Sequence, residues 1–414
     1  MKTLSAAVLL ACLAFAGRAA VENRPAWPQW GGPHRNFVTP AADLASSWPA
    51  GGPRRLWQKP LGDGFSSIVT DGSSLYTLYR DGAADAVVAL DALTGETRWT
   101  SKYDAPFHEV CTEQLGPAPR SAPLIDGDRL VTVSAGGLMN SFDRTTGRRL
   151  WTRDLLQGSP DALRACGYSS SPLMYKNTII TTAGGPGRAV VALEATTGNI
   201  AWQSQDYQNG YSSPILIDLD GRPELIVFTF GDVAGLNPDT GALEWTRPHP
   251  TDQGVNVATP VWGDDHLLFI SSAYNGGSRM LKLVRTGGTV SATEVWATQR
   301  IRVHFGNAVR LGPRIYFSNG DFGSAPFTAV DAATGDIAWR DRSVTRASLI
   351  AAGNELVILD EDGDLALATP GPSGLELHAK VALLGERSWT PPTLSGTTLY
   401  VRDRHQIMAL ALGR

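Results

Sequence analysis

Along most of the chain, short runs of apolar and β-branched residues alternate with turns rich in Gly, Asp and Asn. Runs such as VVAL before Asp91, VVAL before Glu194 and FTAV before Asp331 are typical of β-strands. An acidic or amide residue follows each run, and a Gly comes four residues later, which predicts a tight hairpin turn with a bulge. The pattern therefore predicts an all-β chain of short antiparallel strands.

The same hairpin recurs along the chain as LDALTGETRW (90–99), SFDRTTGRRLW (141–151), ALEATTGNIAW (192–202), GLNPDTGALEW (235–245) and AVDAATGDIAW (329–339). Two further strands precede each copy, so one repeat is a four-stranded meander. A repeat of about 40–50 residues of this kind is typical of a β-propeller blade. We interpret the repeated tryptophans as residues that dock one blade on the next: Trp57, Trp99, Trp151, Trp202, Trp245, Trp296 and Trp339.

Eight first strands are predicted, which indicates an eight-bladed propeller. They start near Ser67, Ala122, Ser171, Ser213, Thr259, Ala308, Ser348 and Thr390. The fifth blade is expected to carry an extended turn at 287–294, and the seventh blade has no Trp. The eighth, 390–412, has only three strands. The stretch PRRLWQKPLG (53–62) is expected to supply the fourth and close the ring, which removes open sheet edges.

The N-terminal residues predict export. Lys2 precedes an apolar run over residues 4–16, and small residues follow, as in a secretory signal peptide. We expect a signal peptide at 1–20, an N-terminal extension at 21–52 lying across one face as a clasp, and a single propeller domain at 53–414. The protein is then periplasmic or secreted, monomeric and without a transmembrane segment. A lipid anchor on Cys12 is not favoured, because LLAC (9–12) fits the lipoprotein motif poorly.

The cysteine, charge and histidine content limits the kinds of partner and bound group that are expected. Export leaves Cys111 and Cys166, which could form a disulfide in an oxidising compartment or remain two buried thiols. The whole chain has 36 Lys and Arg against 40 Asp and Glu, without a basic run, so nucleic acid is not expected as a partner. The seven histidines lack metal-ligand spacing, and no metal site is predicted.

The AxDxxTGxxxW units resemble the tryptophan-docking repeats of pyrroloquinoline-quinone (PQQ) propellers. WPQWGGPHRN (27–36) and LWQKPLGDGFSS (56–67) are similar to a secreted bacterial subgroup, the PQQ-binding-like β-propeller repeat proteins. The wider group contains both quinoprotein alcohol dehydrogenases and the assembly lipoprotein BamB. The resemblance therefore implies the fold, and two functions remain open.

The first function is a non-catalytic binding or assembly platform in the bacterial cell envelope. The alternative is a PQQ-dependent dehydrogenase that oxidises an alcohol or sugar with PQQ and Ca²⁺ as cofactors. The resemblance implies that such an enzyme carries two adjacent cysteines, which this chain lacks. Because no ligand set for the metal aligns either, the sequence favours the platform, no cofactor is assigned with certainty, and the catalytic residues stay unknown.

Loops that enter each first strand should surround one mouth of the central funnel. Four residues there carry or can carry positive charge, so an anionic ligand or an acidic segment of an envelope protein could bind there. Alternatively, the arginines pair with acids such as Glu109 or Asp252 and only hold the rim. The candidate ligand-binding residues are Arg120, Tyr168, Tyr211, Asn256, His304, Arg346, Arg387 and Trp389.

Overall fold

The computed structural model describes residues 24–107, 116–157, 165–321 and 323–414. Strands form eight four-stranded antiparallel blades in a ring, as the repeats predict. The first strand of each blade lies nearest the axis, because the chain enters each blade from the centre and meanders outward.

From the inner to the outer edge, the first four blades have the following strands. Blade 1 contains β3 (Val69–Thr70), β4 (Ser74–Asp81), β5 (Ala84–Asp91) and β6 (Thr97–Asp104). Blade 2 contains β7 (Leu124–Asp126), β8 (Arg129–Val133), β9 (Leu138–Asp143) and β10 (Arg149–Asp154). Blade 3 contains β11 (Leu173–Tyr175), β12 (Thr178–Thr182), β13 (Val190–Glu194) and β14 (Ile200–Ser204). Blade 4 contains β15 (Ile215–Leu219), β16 (Arg222–Phe228), β17 (Asp232–Leu236) and β18 (Leu243–Pro248).

The second four blades follow the same order. Blade 5 contains β19 (Val261–Trp262), β20 (Leu267–Ser272), β21 (Gly277–Thr286) and β22 (Thr289–Thr298). Blade 6 contains β23 (Val309–Leu311), β24 (Arg314–Ser318), β25 (Pro326–Asp331) and β26 (Ile337–Thr345). Blade 7 contains β27 (Ala347–Ala352), β28 (Glu355–Asp360), β29 (Asp364–Pro370) and β30 (Leu375–Ala382), and β1 (Val38–Thr39) lies parallel to β27. Blade 8 contains β31 (Thr393–Ser395), β32 (Thr398–Arg402), β33 (Gln406–Ala411) and β2 (Arg54–Pro60).

The N-terminal strand β2 closes the ring as predicted. It pairs antiparallel with the last strand, β33, and Trp57 lies opposite Ala409. The fourth strand of blade 8 therefore comes from the beginning of the chain. The prediction of an extended turn at 287–294 in blade 5 is wrong. Strands β21 and β22 both continue to a two-residue turn at Gly287 and Gly288. Gly287 has a φ of +61°, a conformation that glycine adopts without steric cost.

The repeated hairpin has a consistent local structure. In blade 1, the Asp91 carboxylate accepts hydrogen bonds from the backbone N–H groups of Leu93 and Thr94, at 2.9 and 3.0 Å. Gly95 closes the turn with a φ of +72°. A bulge then precedes Trp99, which lies opposite Ala89. Asp91 and Gly95 therefore shape the turn, and the small Ala89 lies opposite the large ring of Trp99.

Six tryptophans contact the following blade. In each, the indole N–H donates to a backbone carbonyl of that blade, for example Trp99 to Arg144 at 2.9 Å and Trp151 to Ala195 at 3.0 Å. In five of the six, all but Trp339, the ring also lies against the turn glycine, and a Cβ at Gly147 would be only 2.5 Å from Trp99. The other four pairs join Trp57 to Ala92, Trp202 to Pro238, Trp296 to Ala332, and Trp339 to Gly371.

Trp245 departs from this arrangement. Its indole N–H donates to the Glu224 carboxylate of its own blade, and Arg285 from blade 5 binds the same carboxylate at 3.0 Å. The following blade, blade 5, has a Gly-Gly hairpin in place of the acid-to-glycine turn. Gly235 accommodates the change, because a Cβ there would lie 2.1 Å from the indole nitrogen of Trp245.

We expect Gly147→Ala to lower the free energy of unfolding by about 2–4 kcal/mol, from the left-handed backbone and the clash with Trp99. Gly127→Ala is the matched control in the same blade. Gly127 has a φ of +55°, but a Cβ there would meet nothing within 4 Å, so about 1–2 kcal/mol is expected. Urea denaturation measures both values. Equal losses would contradict a structural contact between Trp99 and the glycine.

Candidate functional site

The segments that precede the inner strands surround one mouth of the central channel. They enclose a cavity of about 120 Å³ on the axis. Seven blades and the N-terminal segment contribute to its wall, which includes the side chains of Trp30, Phe65, Arg120, Tyr211, Phe305 and Trp389. This open mouth is where the sequence places a candidate ligand site.

The other mouth is closed by residues 24–45, which we call the plug. The plug begins beside blades 8 and 1, where Trp27 forms a β-bridge with Thr70. It then crosses the axis, and the Trp30 indole N–H donates to Thr259 of blade 5 at 2.9 Å. It continues along blade 7 as β1 and ends on blade 8, where Leu44 bridges Gly413. The channel is therefore a one-ended pocket.

Arg35 fixes the plug over blades 3 and 4. Its guanidinium donates to the backbone carbonyls of Ser171, Pro172 and Pro214, each at 2.9 Å. The side chain is buried, and burial lowers the pKa of Arg35 to about 9. Three buried carbonyls thus receive their hydrogen bonds from one side chain of the plug, which ties the closed mouth to the inner strands.

Two arginines share one carboxylate at the open mouth. Arg387 lies 3.1 Å from the Glu361 carboxylate, and Arg346 lies 3.5 Å from it. The Trp389 indole N–H also donates to Glu361, at 3.0 Å. Glu361 is nearly buried, whereas Arg387 is 40% exposed. The single negative charge of Glu361 therefore faces the two positive charges of Arg346 and Arg387. The exposed side of Arg387 is available to an anionic group.

Aromatic rings connect this ion cluster to the axis. Trp389 packs between Phe65 and Phe305, with ring centroids 5.3 and 5.2 Å apart. Phe305 is 37% exposed and stacks on His304 at 3.7 Å. Burial lowers the pKa of His304 to about 4, so the imidazole is neutral at pH 7, and it hydrogen-bonds the Tyr274 hydroxyl at 2.8 Å. His304 is therefore not a source of positive charge there.

The structure brings five of the eight predicted residues to the mouth or its cavities and sets Arg387 against the Trp389 ring. Arg120, Tyr211 and Trp389 line the axial cavity, and a second cavity of about 30 Å³ contains His304, Arg346 and Trp389. The Arg387 guanidinium lies 5.4 Å from the Trp389 ring centroid.

The remaining two candidates are structural. The Tyr168 hydroxyl is buried and donates to the Thr182 carbonyl at 2.7 Å, inside blade 3. Asn256 is fully buried, and its amide donates to the carbonyls of three nearby residues, Thr229, Phe230 and His249. Both side chains turn from the entering loop into the blades because backbone groups there need partners.

Sequence reasoning missed three important side chains at the mouth. Phe65 precedes the first strand of blade 1, in the same loop position as the predicted ligand-binding residues of the other blades. The repeat therefore contains the signal that places Phe65 at the mouth. Phe305 is the neighbour of His304. Glu361 lies instead in the turn between β28 and β29, and no repeated pattern marks that turn. The alternative reading, that arginines pair with acids at the rim, fits Arg346 and Arg387, although their partner is Glu361.

The predicted cysteine pair is only partly within the described residues. Cys166 takes part in a disulfide, and its backbone N–H donates to the Tyr211 hydroxyl at 3.3 Å. Cys111 and Glu109 lie outside the described residues, as do Cys12 and the whole of the predicted signal peptide. Pairing of Cys111 with Cys166 therefore stays a prediction, which would place a covalent link beside the open mouth.

The residues of the funnel do not fit PQQ and a metal ion. Within the described ranges, no three His, Cys, Asp or Glu side chains lie close enough together to hold a metal. The axial cavity of about 120 Å³ is well below the ~300 Å³ at which pockets for drug-sized ligands begin. Phe65, Phe305 and Trp389 line this cavity and leave little room for a three-ring tricarboxylate, so we derive no redox step from this site.

Comparison with known proteins gives a consistent family. The family model described as outer membrane protein assembly factor BamB matches residues 49–223 and 162–341, which together span more than two thirds of the chain. The BamB of Burkholderia pseudomallei is 25% identical over 356 residues, 75% of this chain and 86% of the relative. The BamB of Yersinia pestis is 24% identical over 299 residues, 68% and 71% of the two chains.

Solved structures show the same fold. The BamB of Moraxella catarrhalis has a TM-score of 0.60 at 17% identity and covers 86% of this chain and 97% of its own. A quinohemoprotein alcohol dehydrogenase from Comamonas testosteroni has a TM-score of 0.67 at 12% identity, and the match covers 96% of this chain and 82% of the dehydrogenase. At such identities these two likenesses establish the propeller and leave the activity open. No described residue belongs to a helix long and apolar enough to cross a membrane.

Proposed function

Because the chain belongs to the family described as outer membrane protein assembly factor BamB, we propose that it is a non-catalytic binding platform that serves outer membrane protein assembly in the periplasm. The observation that carries the proposal is the match over 49–341 together with the 86% coverage of the Burkholderia relative. The predicted signal peptide supports export, and whether a lipid anchor follows it is a separate question.

The open mouth is the proposed binding surface. Protein interfaces are enriched in Arg and aromatic side chains, and their strongest contacts cluster around such residues. Phe305, Trp389 and Arg387 form a patch of this composition, and the plug leaves this mouth as the accessible end of the channel. We propose an envelope protein as the partner, with an acidic segment that pairs with Arg346 and Arg387.

A PQQ-dependent dehydrogenase is the less supported alternative. It rests on fold similarity to the alcohol dehydrogenase, and among the described residues the funnel offers neither a cavity of sufficient volume nor a cluster of metal ligands for the cofactor. Adding PQQ with Ca²⁺ to the purified protein, with alcohols and sugars as substrates, should give no dye reduction and no increase in thermal stability. Ligand at 100 times its Kd would add about 2.7 kcal/mol to the stability, so a stable complex would be detected.

We expect deletion of the gene from the bacterium that encodes it to lower the amount of assembled outer membrane proteins, measured by quantitative proteomics of outer membranes. Wild-type protein should restore them, and the double variant Phe305→Ser with Arg387→Glu should not, because it removes an aromatic anchor and reverses a charge at the mouth. Arg340→Glu, on the exposed outer strand of blade 6, is the control and should restore them.

Unchanged outer membrane proteins in the deletion strain would exclude the assembly function. Full restoration by the mouth variant, at equal protein levels, would exclude the open mouth as the binding surface while leaving the function in place. The two results separate the role of the protein from the location of its site.

A further inference from the structure

A groove of about 700 Å³ lies on the closed face of the propeller. Plug residues around His34 and Asn36 form one wall, and the inner strands and following turns of blades 3, 4 and 5 form the floor and the other wall. It lies at the opposite end of the inner strands from the open mouth. Binding in the groove is therefore independent of the function proposed for that mouth.

The groove is preformed because the plug beside it is fixed. Arg35 holds the plug to three buried carbonyls, and Trp30 ties it to Thr259, so the wall that carries His34 has a defined position. A fixed wall keeps the groove open without a ligand, which reduces the entropic cost of binding. The volume lies within the range of about 300–1,000 Å³ typical of pockets that bind small ligands or a few side chains of a partner.

The floor of the groove is apolar. Met174, Leu216 and Trp262 are only half-buried, and each is on an inner strand that faces the groove. The indole of Trp262 stacks on the His266 imidazole, with ring centroids 5.9 Å apart and planes 9° from parallel. Exposed apolar surface of this kind, next to an ordered aromatic ring, favours apolar side chains of a partner.

Three exposed carboxylates surround this apolar floor: Asp218, Asp220 and Asp264. Asp220 lies 3.4 Å from His266, and Asp218 accepts a hydrogen bond from its own turn. Within the described part of the chain, none of the three forms an ion pair with a Lys or Arg. The neighbouring Asp265, in contrast, is paired with Arg310 at 2.6 Å. The rim of the groove therefore carries negative charge that a cationic partner would complement.

We propose that this groove binds an extended peptide segment of a partner protein in which Lys or Arg side chains alternate with apolar ones. The apolar side chains contact Met174 and Leu216. A cationic side chain lies between Asp220 and Asp264, where it is held by attraction to the two carboxylates. The propeller then has two binding faces, a basic aromatic mouth and an acidic apolar groove.

The test uses the full mature chain and the capped pentapeptide Leu-Lys-Leu-Lys-Leu, with affinity measured by isothermal titration calorimetry. The double variant Asp220→Asn with Asp264→Asn should bind about tenfold more weakly, since a difference of about 1.4 kcal/mol is expected from two lost charge contacts. Asp104→Asn, an exposed aspartate on the outer strand of blade 1, is the matched control and should leave the affinity unchanged.

Two peptide controls define the ligand chemistry. The analogue with Glu in place of Lys should not bind, and the analogue with Ser in place of Leu should bind more weakly. Equal binding of the Glu analogue, or unchanged affinity in the double variant, would overturn the proposal. The proposal would also be overturned if the mouth variant (Phe305→Ser with Arg387→Glu) lost the peptide while the groove variant (Asp220→Asn with Asp264→Asn) still bound it. The peptide would then occupy the mouth.

Discussion

Replacing Arg402 by Met is expected to lower the free energy of unfolding by about 3–5 kcal/mol, because several buried carbonyls lose their donor. Arg402 is fully buried at the joint between blade 8 and blade 1. Its guanidinium donates to the Leu78 carbonyl at 2.8 Å and to the Thr77 hydroxyl at 3.0 Å, and it reaches the carbonyls of Ser66 and Gly62 at 3.3 Å.

A buried charge can often be replaced by an apolar side chain without loss, but only when its partners can be replaced as well. Here most of the partners are main-chain carbonyls, which no substitution at 402 removes. Burial lowers the pKa of Arg402 to about 10, so the guanidinium still carries its charge at pH 7. The side chain thus joins the last strands of the chain to the first blade by charge-assisted hydrogen bonds.

Urea denaturation checks this prediction, with a lower midpoint and an unchanged slope as the expected result. Arg340→Met is the control, since Arg340 lies exposed on β26, and it should change stability by no more than about 0.5 kcal/mol. A loss at Arg402 as small as in this control would show that the joint between blades 8 and 1 does not depend on the guanidinium.

The repeats carry most of the information about the fold. The acid, the Gly and the Trp occur at fixed spacing, so they predict the hairpin, the blade and the direction in which Trp99 faces its neighbour. Ring closure by β2 also follows from the sequence, because Trp57 has the register of a missing fourth strand. These predictions succeed because each depends on contacts within one repeat or between adjacent repeats.

The plug, Trp245 and the exact wall of the funnel could not be predicted in the same way. Arg35 binds carbonyls of residues 136 to 179 positions away, and no repeat relates it to them. Trp245 binds Glu224 of its own blade instead of a carbonyl of the next blade. Tyr168 and Asn256 face into the blades although they occupy the loop positions of Arg120 and Trp389. Side-chain direction in such loops depends on which buried backbone groups still need a partner.

A buried polar cluster between blades 1 and 2 has a measurable pH dependence. The carboxylate of Asp85 is fully buried, lies 3.2 Å from Arg80, and accepts no hydrogen bond from the described residues. Burial raises the pKa of Asp85 to about 7, against the opposing charges of Arg80 and Arg120. The buried hydroxyl of Tyr103 belongs to the same cluster, and its pKa is also raised, by burial and then by the Asp85 charge.

We expect Asp85→Asn to stabilise the protein relative to wild type as the pH rises from about 4 to 7, by on the order of 4 kcal/mol at the upper end. In that window the unfolded chain has an ionised Asp85 and the folded chain a protonated one, so folding takes up a proton. The contribution of Asp85 to the unfolding free energy of the wild-type protein therefore falls as the pH rises. Asn resembles the protonated acid in shape and does not titrate, so the variant lacks this loss.

The measurement is the difference in unfolding free energy between variant and wild type at several pH values. Other titrating groups cancel in this difference, including Glu224, whose pKa burial also raises to about 7, and His249, whose pKa burial lowers to about 3. Asp104→Asn is the control on the same blade and should show a small difference that does not change with pH. A difference for Asp85→Asn that is equally independent of pH would show that the buried carboxyl is ionised in the folded protein throughout this range, and that Arg80 and Arg120 compensate fully for its burial.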